Sequence, residues 1–151
     1  MKIKDYLDSK SIVINLEVNN KLELLNRMLD LADNTGKVIN KEEALKEILN
    51  REAVLSTGVG KGIALPHAKT KFVKDSVLSF AILKEPLDYE SLDGQPVKIV
   101  CLLLGLENNV GAHLKLLSKI SRLLNNDILR TELLNAKDNY EVINILSKMD
   151  D

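Results

Sequence analysis

The chain has 151 residues, of which 45% are hydrophobic, 28% charged and 3% aromatic, with a formal net charge of −1 at pH 7 and one cysteine. That length supports one self-sufficient core, and the apolar share is too high for a disordered chain. The near-zero charge excludes a basic nucleic-acid binder, the lack of Trp excludes a base-stacking platform, and the lone Cys101 excludes an intrachain disulfide or a cysteine-only metal site.

The longest strongly apolar run, Ile99 to Leu104, is far too short to cross a bilayer. The N-terminal Met-Lys-Ile-Lys-Asp-Tyr lacks an apolar signal core, which predicts a cytoplasmic protein without direct membrane insertion. Pro66, Pro86 and Pro96 are scattered, and no linker or repeat divides the sequence, so residues 1–151 read as one domain.

In chain order, the β-branched segment 11–16 predicts a strand. Leu22, Leu25, Met28, Leu29 and Ala32 recur at helical spacing over 20–34, with Asn20 as cap, Glu23 three residues on, and Gly36 past the end. Asn40, with Glu43, is expected to cap a second helix that buries Ala44, Leu45, Ile48 and Leu49 and frays near Arg51-Glu52. Residues 56–62, with glycines at 58, 60 and 62, predict a loop with tight turns. Ile63-Ala64-Leu65 is a short strand that Pro66 stops; residues 76–83 and the doubly apolar 97–104 are longer strands joined by a polar connection over 87–96. The last third predicts helices: one over 111–125 with a stripe of Leu114, Leu117, Ile120 and Leu124, one capped by Asp127 carrying Leu129, Leu133 and Leu134, and one capped by Asp138 carrying Val142, Ile145, Leu146 and Met149. This pattern gives an α/β class, a mixed central sheet flanked by helices on both faces.

The glycine-rich segment fails the Walker pattern, because Lys61 is followed by Gly62, and it fails the dinucleotide pattern as well. It leads directly into Ile63-Ala64-Leu65-Pro66-His67, which puts a histidine at a strand end on a restrained backbone. Imidazole is a competent nucleophile at neutral pH, although position alone favours an exposed or capping histidine. His113 falls in the first turn of a helix, where the dipole disfavours an imidazolium and favours an anion nearby. Arg51 at a helix end either complements the dipole or aims its guanidinium fork at a phosphate. A metal site from His67, His113 and Cys101 ranks below these readings, because no compact ligand spacing exists and Cys101 falls within an apolar strand.

The segment 52–68, Glu-Ala-Val-Leu-Ser-Thr-Gly-Val-Gly-Lys-Gly-Ile-Ala-Leu-Pro-His-Ala, resembles the active-site signature of enzyme IIA of the bacterial phosphotransferase system. The branch is the fructose/mannitol (type 2) one, which includes the nitrogen-regulatory proteins. A second block agrees: Leu92-Asp93-Gly94-Gln95-Pro96-Val97, then Leu102-Leu103-Leu104, then residues 111–124 around His113. The resemblance implies that His67 carries a phosphoryl group, with Arg51 and His113 as its catalytic companions. It implies a phosphate-binding loop at Thr57, Gly58, Val59 and Gly60, whose glycines let the backbone approach an oxyanion. It further implies HPr as phosphoryl donor, a cysteine of enzyme IIB as acceptor, and the membrane enzyme IIC beyond, with no nucleotide, metal or other cofactor.

The expected function is therefore a sugar phosphotransferase component of fructose type. The alternative is a nitrogen-type regulator that controls other proteins through its phosphorylation state. Two protein partners visiting His67 in turn require a shallow apolar docking patch, with Val59, Ile63 and Leu65 as support and Ala68 and Lys69 nearer the surface. Arg51 and His113, both near helix ends, are expected to matter more for transfer than for folding.

Overall fold

Short polar side chains set where the helices begin. The side-chain oxygen of Asn20 accepts the Glu23 N–H at 2.8 Å and opens α1 (Lys21–Asp33); that of Asn40 accepts the Glu43 N–H at 3.2 Å and opens α2 (Lys41–Val54). Both caps are those the sequence predicts. Gly36, past α1, has the expected left-handed φ of 78°. Helix α2 does not fray at Arg51-Glu52 but continues to Val54. The reason is Glu52, which is buried and anchored to the residues that follow the helix. Leu45 and Leu49 are only half-buried in it.

The computed structural model, which describes residues 2–148 and 150, then runs through a glycine-rich hairpin. The segment expected to be a loop forms β2 (Gly58–Gly60), antiparallel to β3 (Ile63–Ala64). Positive φ at Gly60, Lys61 and Gly62 turns the chain between them. Pro66 does not end the strand pairing. It has no N–H to give, but its carbonyl accepts the Leu103 N–H at 3.0 Å, and pairing resumes as β4 (His67–Thr70), which the sequence reading lacks.

The sheet is completed by β1 (Ile12–Leu16), β5 (Val77–Leu87) and β6 (Val97–Leu106). Its order is β1-β5-β6-β3-β2, with β4 also on β6. The β5–β6 pair is antiparallel, whereas β1–β5, β3–β6 and β4–β6 are parallel. Strand β6 is buried on both faces, as its apolar run predicts. Strand β5 extends past Leu83 with exposed Lys84, Glu85 and Pro86, after a register shift. The connection behind it is not wholly polar, because Tyr89 is fully buried.

Helices α3 (Val110–Leu124), α4 (Asp127–Leu134) and α5 (Asn139–Ser147) cover one face, and α1 and α2 the other. A mixed sheet with helices on both faces is the fold class the sequence pattern indicates. Asn126, not Asp127, caps α4, since only Asn126 has the extended backbone a cap requires. Asp138 caps α5 as expected, Leu134 is exposed, and Met149 lies outside the described residues. The buried side of α3 is His113, Leu116, Ile120, Leu123 and Leu124. Leu114, expected within the stripe, is 58% exposed. In so leucine-rich a helix two neighbouring stripes both satisfy the 3.6-residue period, and a histidine occupies a core position.

Candidate functional site

His67 opens β4, and its ring Nδ1 lies 2.7 Å from the Leu65 carbonyl oxygen. A carbonyl only accepts, so Nδ1 carries the proton and donates it. In the neutral ring Nε2 is then left with the free lone pair. Strand alternation sends His67 to the side of Ile63 and Leu65, toward the α3 layer. Burial pushes the His67 pKa down, and the nearby Arg51 charge pushes it the same way, against the opposing effect of the Leu65 hydrogen bond.

Helix α3 starts at the Asn109 cap, whose side chain accepts the Ala112 N–H at 3.3 Å, and so delivers His113 in its first turn. The His113 and His67 rings are 6.0 Å apart between centroids. His113 is only 4% exposed. Burial, then the neighbouring His67 and Lys69, lower its pKa to about 4. Its Nδ1 is buried without a hydrogen-bond partner and lies against Gly105 of β6, where a Cβ would overlap it. A proton on Nδ1 would be a buried donor without an acceptor, so the neutral ring holds its proton on Nε2.

Arg51 reaches the same place from the opposite layer, because α2 packs beside β4. Its guanidinium donates to the Leu55 carbonyl at 2.9 Å, which satisfies a helix-end acceptor and fixes the fork. Arg51, His67 and His113 line one pocket of about 390 Å³, together with Glu47, Lys69 and Leu114 among others. The three candidate catalytic residues are thus brought together from α2, β4 and α3.

The expected phosphate-binding loop is not brought to this pocket. The Thr57 N–H donates to Glu52 at 2.7 Å and the Gly58 N–H to the Ser56 hydroxyl at 3.1 Å, so neither is free for an oxyanion. Val59 and Gly60 line a separate groove with Lys61 and Asn125. The close approaches that require glycine there are to the chain itself: Ser91 and Tyr89 against Gly58, and Asp93 against Gly60. Val59, expected as support, is half exposed, and Ala68, expected near the surface, is buried.

Sequence reasoning missed the polar cluster behind the site. The Glu52 carboxylate takes hydrogen bonds from the Thr57 hydroxyl, from the Thr57 N–H, and from the Tyr89 hydroxyl at 2.9 Å, and pairs with Lys21 at 2.9 Å. Burial works to raise its pKa, but these bonds, led by those of Thr57, hold it below the usual carboxylate range. The cluster ties the end of α2, and hence Arg51, to Thr57 just before β2 and to Tyr89 in the segment after β5. Glu47 was missed as well. Its signal was available, since it stands one helical turn before Arg51 and faces the same way. Cys101 stands apart in the core, where burial pushes its thiol up to about 12, so it does not join the two histidines as a ligand set.

A neutral imidazole with an open Nε2, a second imidazole offering an N–H, and a guanidinium form a site suited to receiving an anionic electrophile. No helix among the described residues is long and apolar enough to cross a membrane. Comparison with known proteins identifies the family. Residues 5–149 match the family model for the phosphoenolpyruvate-dependent sugar phosphotransferase system, EIIA 2. The chain is 40% identical over 151 residues to the fructose-specific EIIABC component of Bacillus subtilis, covering 99% of this chain but only 24% of that protein. It is 35% identical to a nitrogen regulatory protein of Bradyrhizobium diazoefficiens, over 97% of this chain and 95% of the relative. The crystal structure of nitrogen regulatory protein IIA-Ntr from Neisseria meningitidis superposes with a TM-score of 0.90 at 30% identity, covering 95% of this chain and 98% of that one. The chain therefore belongs to the type-2 EIIA family of phosphotransferase-system components.

Proposed function

We propose that this chain is a phosphocarrier that accepts a phosphoryl group from phospho-HPr on Nε2 of His67 and passes it to a cysteine of enzyme IIB. The observation that carries this reading is the Nδ1 hydrogen bond to Leu65, which leaves Nε2 as the nucleophile. In the first step the Nε2 lone pair forms the new N–P bond. The donor's N–P bond breaks, and its electron pair returns to the donor imidazole. Nδ1 keeps its proton on Leu65 throughout, so no base is required. The Arg51 guanidinium and the His113 Nε2–H stabilise the equatorial oxygens as charge spreads over them. In the second step a IIB thiolate attacks phosphorus, and the N–P electron pair returns to His67. Coupled uptake of a fructose-type sugar through enzyme IIC follows from that acceptor.

A second reading is regulatory, favoured by the near end-to-end match with the Bradyrhizobium nitrogen regulatory protein. Both readings share the first step. The chain is incubated with phosphoenolpyruvate, enzyme I and HPr, and followed by intact mass. An acid-labile phosphoryl adduct is expected, and it is absent in His67→Ala; an adduct that persists in that variant refutes the assignment. Onward transfer to a fructose-type IIB domain supports the sugar reading, and a phosphorylated chain that IIB leaves untouched supports the regulatory one.

A further inference from the structure

We propose that Glu47 sets the phosphoryl-transfer potential of this site, its carboxylate opposing the charge on phosphorylated His67 so that the group is passed on instead of being trapped. The inference rests on the phosphocarrier reading above and adds a residue to it. Glu47 and Arg51 stand four residues apart on α2 and line the pocket that holds His67 and His113.

At that spacing a glutamate ordinarily pairs with the following arginine. Here the Arg51 guanidinium donates to the Leu55 carbonyl instead, and no ion pair found among the described residues involves Glu47. Its Oε2 is buried and has no hydrogen-bond partner. A carboxylate oxygen left buried and unpaired is costly, and it contributes nothing to the hydrogen bonding of the fold. The residue does line the same pocket as His67, the space a phosphoryl group on that histidine would enter.

The other charged side chains lining that space are the cations Arg51 and Lys69. Without Glu47 the charged side chains lining the pocket would all be cationic, with Glu52 in the cluster behind it the carboxylate still acting on His67, and a dianionic phosphoryl group would be held more strongly. With Glu47 the unphosphorylated pocket is partly neutralised, and the phosphorylated one contains a like-charge pair. A carrier that must both accept and release the same group benefits from that balance, because over-stabilising the intermediate slows its departure.

The test is the equilibrium of phosphoryl exchange with HPr, measured by intact mass at fixed ratios of phospho-HPr to HPr. Glu47→Gln keeps size and helix propensity and removes the charge. It is expected to shift the equilibrium toward the phosphorylated chain by roughly 5-fold or more, the size of a like-charge interaction across a partly solvated pocket. Glu47→Asp keeps the charge and is expected to stay near the parent. Glu42→Gln, an exposed acidic residue in the first turn of the same helix and off the stripe that carries Glu47 and Arg51, serves as control and is expected to leave the equilibrium unchanged. An unchanged or reversed equilibrium in Glu47→Gln overturns the proposal, including the case in which only HPr affinity changes. If the parent chain itself takes up no phosphoryl group, the carrier reading fails first, and that outcome is distinct from a normal parent with an unaltered variant.

Discussion

The rings of His67 and His113 lie 6.0 Å apart and tilted by 48°, one at the start of a strand and the other in the first turn of a helix. Burial makes both hard to protonate, and His67 adds to that effect on His113. In the proposed transfer the two neutral imidazoles have different parts: His67 is to offer an open Nε2 lone pair, and His113 an Nε2–H. The arrangement depends on Gly105, because a side chain there would occupy the place of the His113 ring.

Acid should weaken the fold through His113. Its pKa falls from an ordinary 6.5 in the unfolded chain to about 4 in the folded one. Between those values the unfolded chain binds more protons, so stability is fully present above 6.5 and is lost as pH drops toward 4, by on the order of 3 kcal/mol. His67, also lowered, acts in the same direction. Urea unfolding of the parent and of His113→Gln at pH 7 and pH 4.5 should give a clearly shallower pH dependence in the variant. Equal slopes would mean that His113 is not held neutral.

Arg51→Lys should slow transfer from phospho-HPr by about 10- to 100-fold while leaving the unfolding midpoint close to the parent. Lysine keeps the charge but loses the planar fork and the hydrogen bond that fixes it on Leu55. Stopped-flow or quenched-mass kinetics beside a thermal melt separates the two effects. A parent-like rate would remove Arg51 from the transfer step.

His113 does not share this tolerance. Because it is 4% exposed, truncation to Ala opens a cavity as well as removing a donor, contrary to the expectation from its place at a helix end. A loss of about 1–3 kcal/mol is expected by equilibrium unfolding, together with slower transfer. His113→Ala unfolding at the parent's denaturant midpoint would contradict the packing described here.

Tyr89→Phe should cost about 1–3 kcal/mol, since it deletes a buried hydroxyl bonded to the Glu52 carboxylate and in contact with the Thr57 hydroxyl at 3.0 Å. Chemical denaturation measures it directly. Loss below about 0.5 kcal/mol would show that the cluster does not anchor the end of α2.

Leu114 is exposed and lines the pocket of His67 and His113, and is expected to be an apolar contact for a visiting protein. Leu114→Ser is expected to raise the KM for phospho-HPr several-fold with stability within about 0.5 kcal/mol of the parent. In NMR titrations, HPr and a IIB domain should both shift residues around His67, His113 and Leu114. Two separate footprints would rule out a shared docking surface.

The sequence by itself determined the helix caps at Asn20, Asn40 and Asp138, the doubly buried strand β6, and the α/β class, because each follows from local hydrogen bonding or from a short apolar period. It also singled out Arg51, His67 and His113, through the resemblance of their surroundings to a known family's signature. Only the tertiary structure decided how those three meet. Pro66 could not be read as a bridge between two strands, since its carbonyl is satisfied by Leu103 from a distant strand. The face of α3 could not be chosen, since its leucines allow two stripes and only packing against β6 buries His113 in place of Leu114. The glycine segment could not be told from a phosphate cradle, because glycines report a close approach without saying to what, and here it is to Tyr89, Ser91 and Asp93. Glu47 entered the site for the same reason: a helix period says which residues share a face, and only the neighbouring strand and helix say what that face meets.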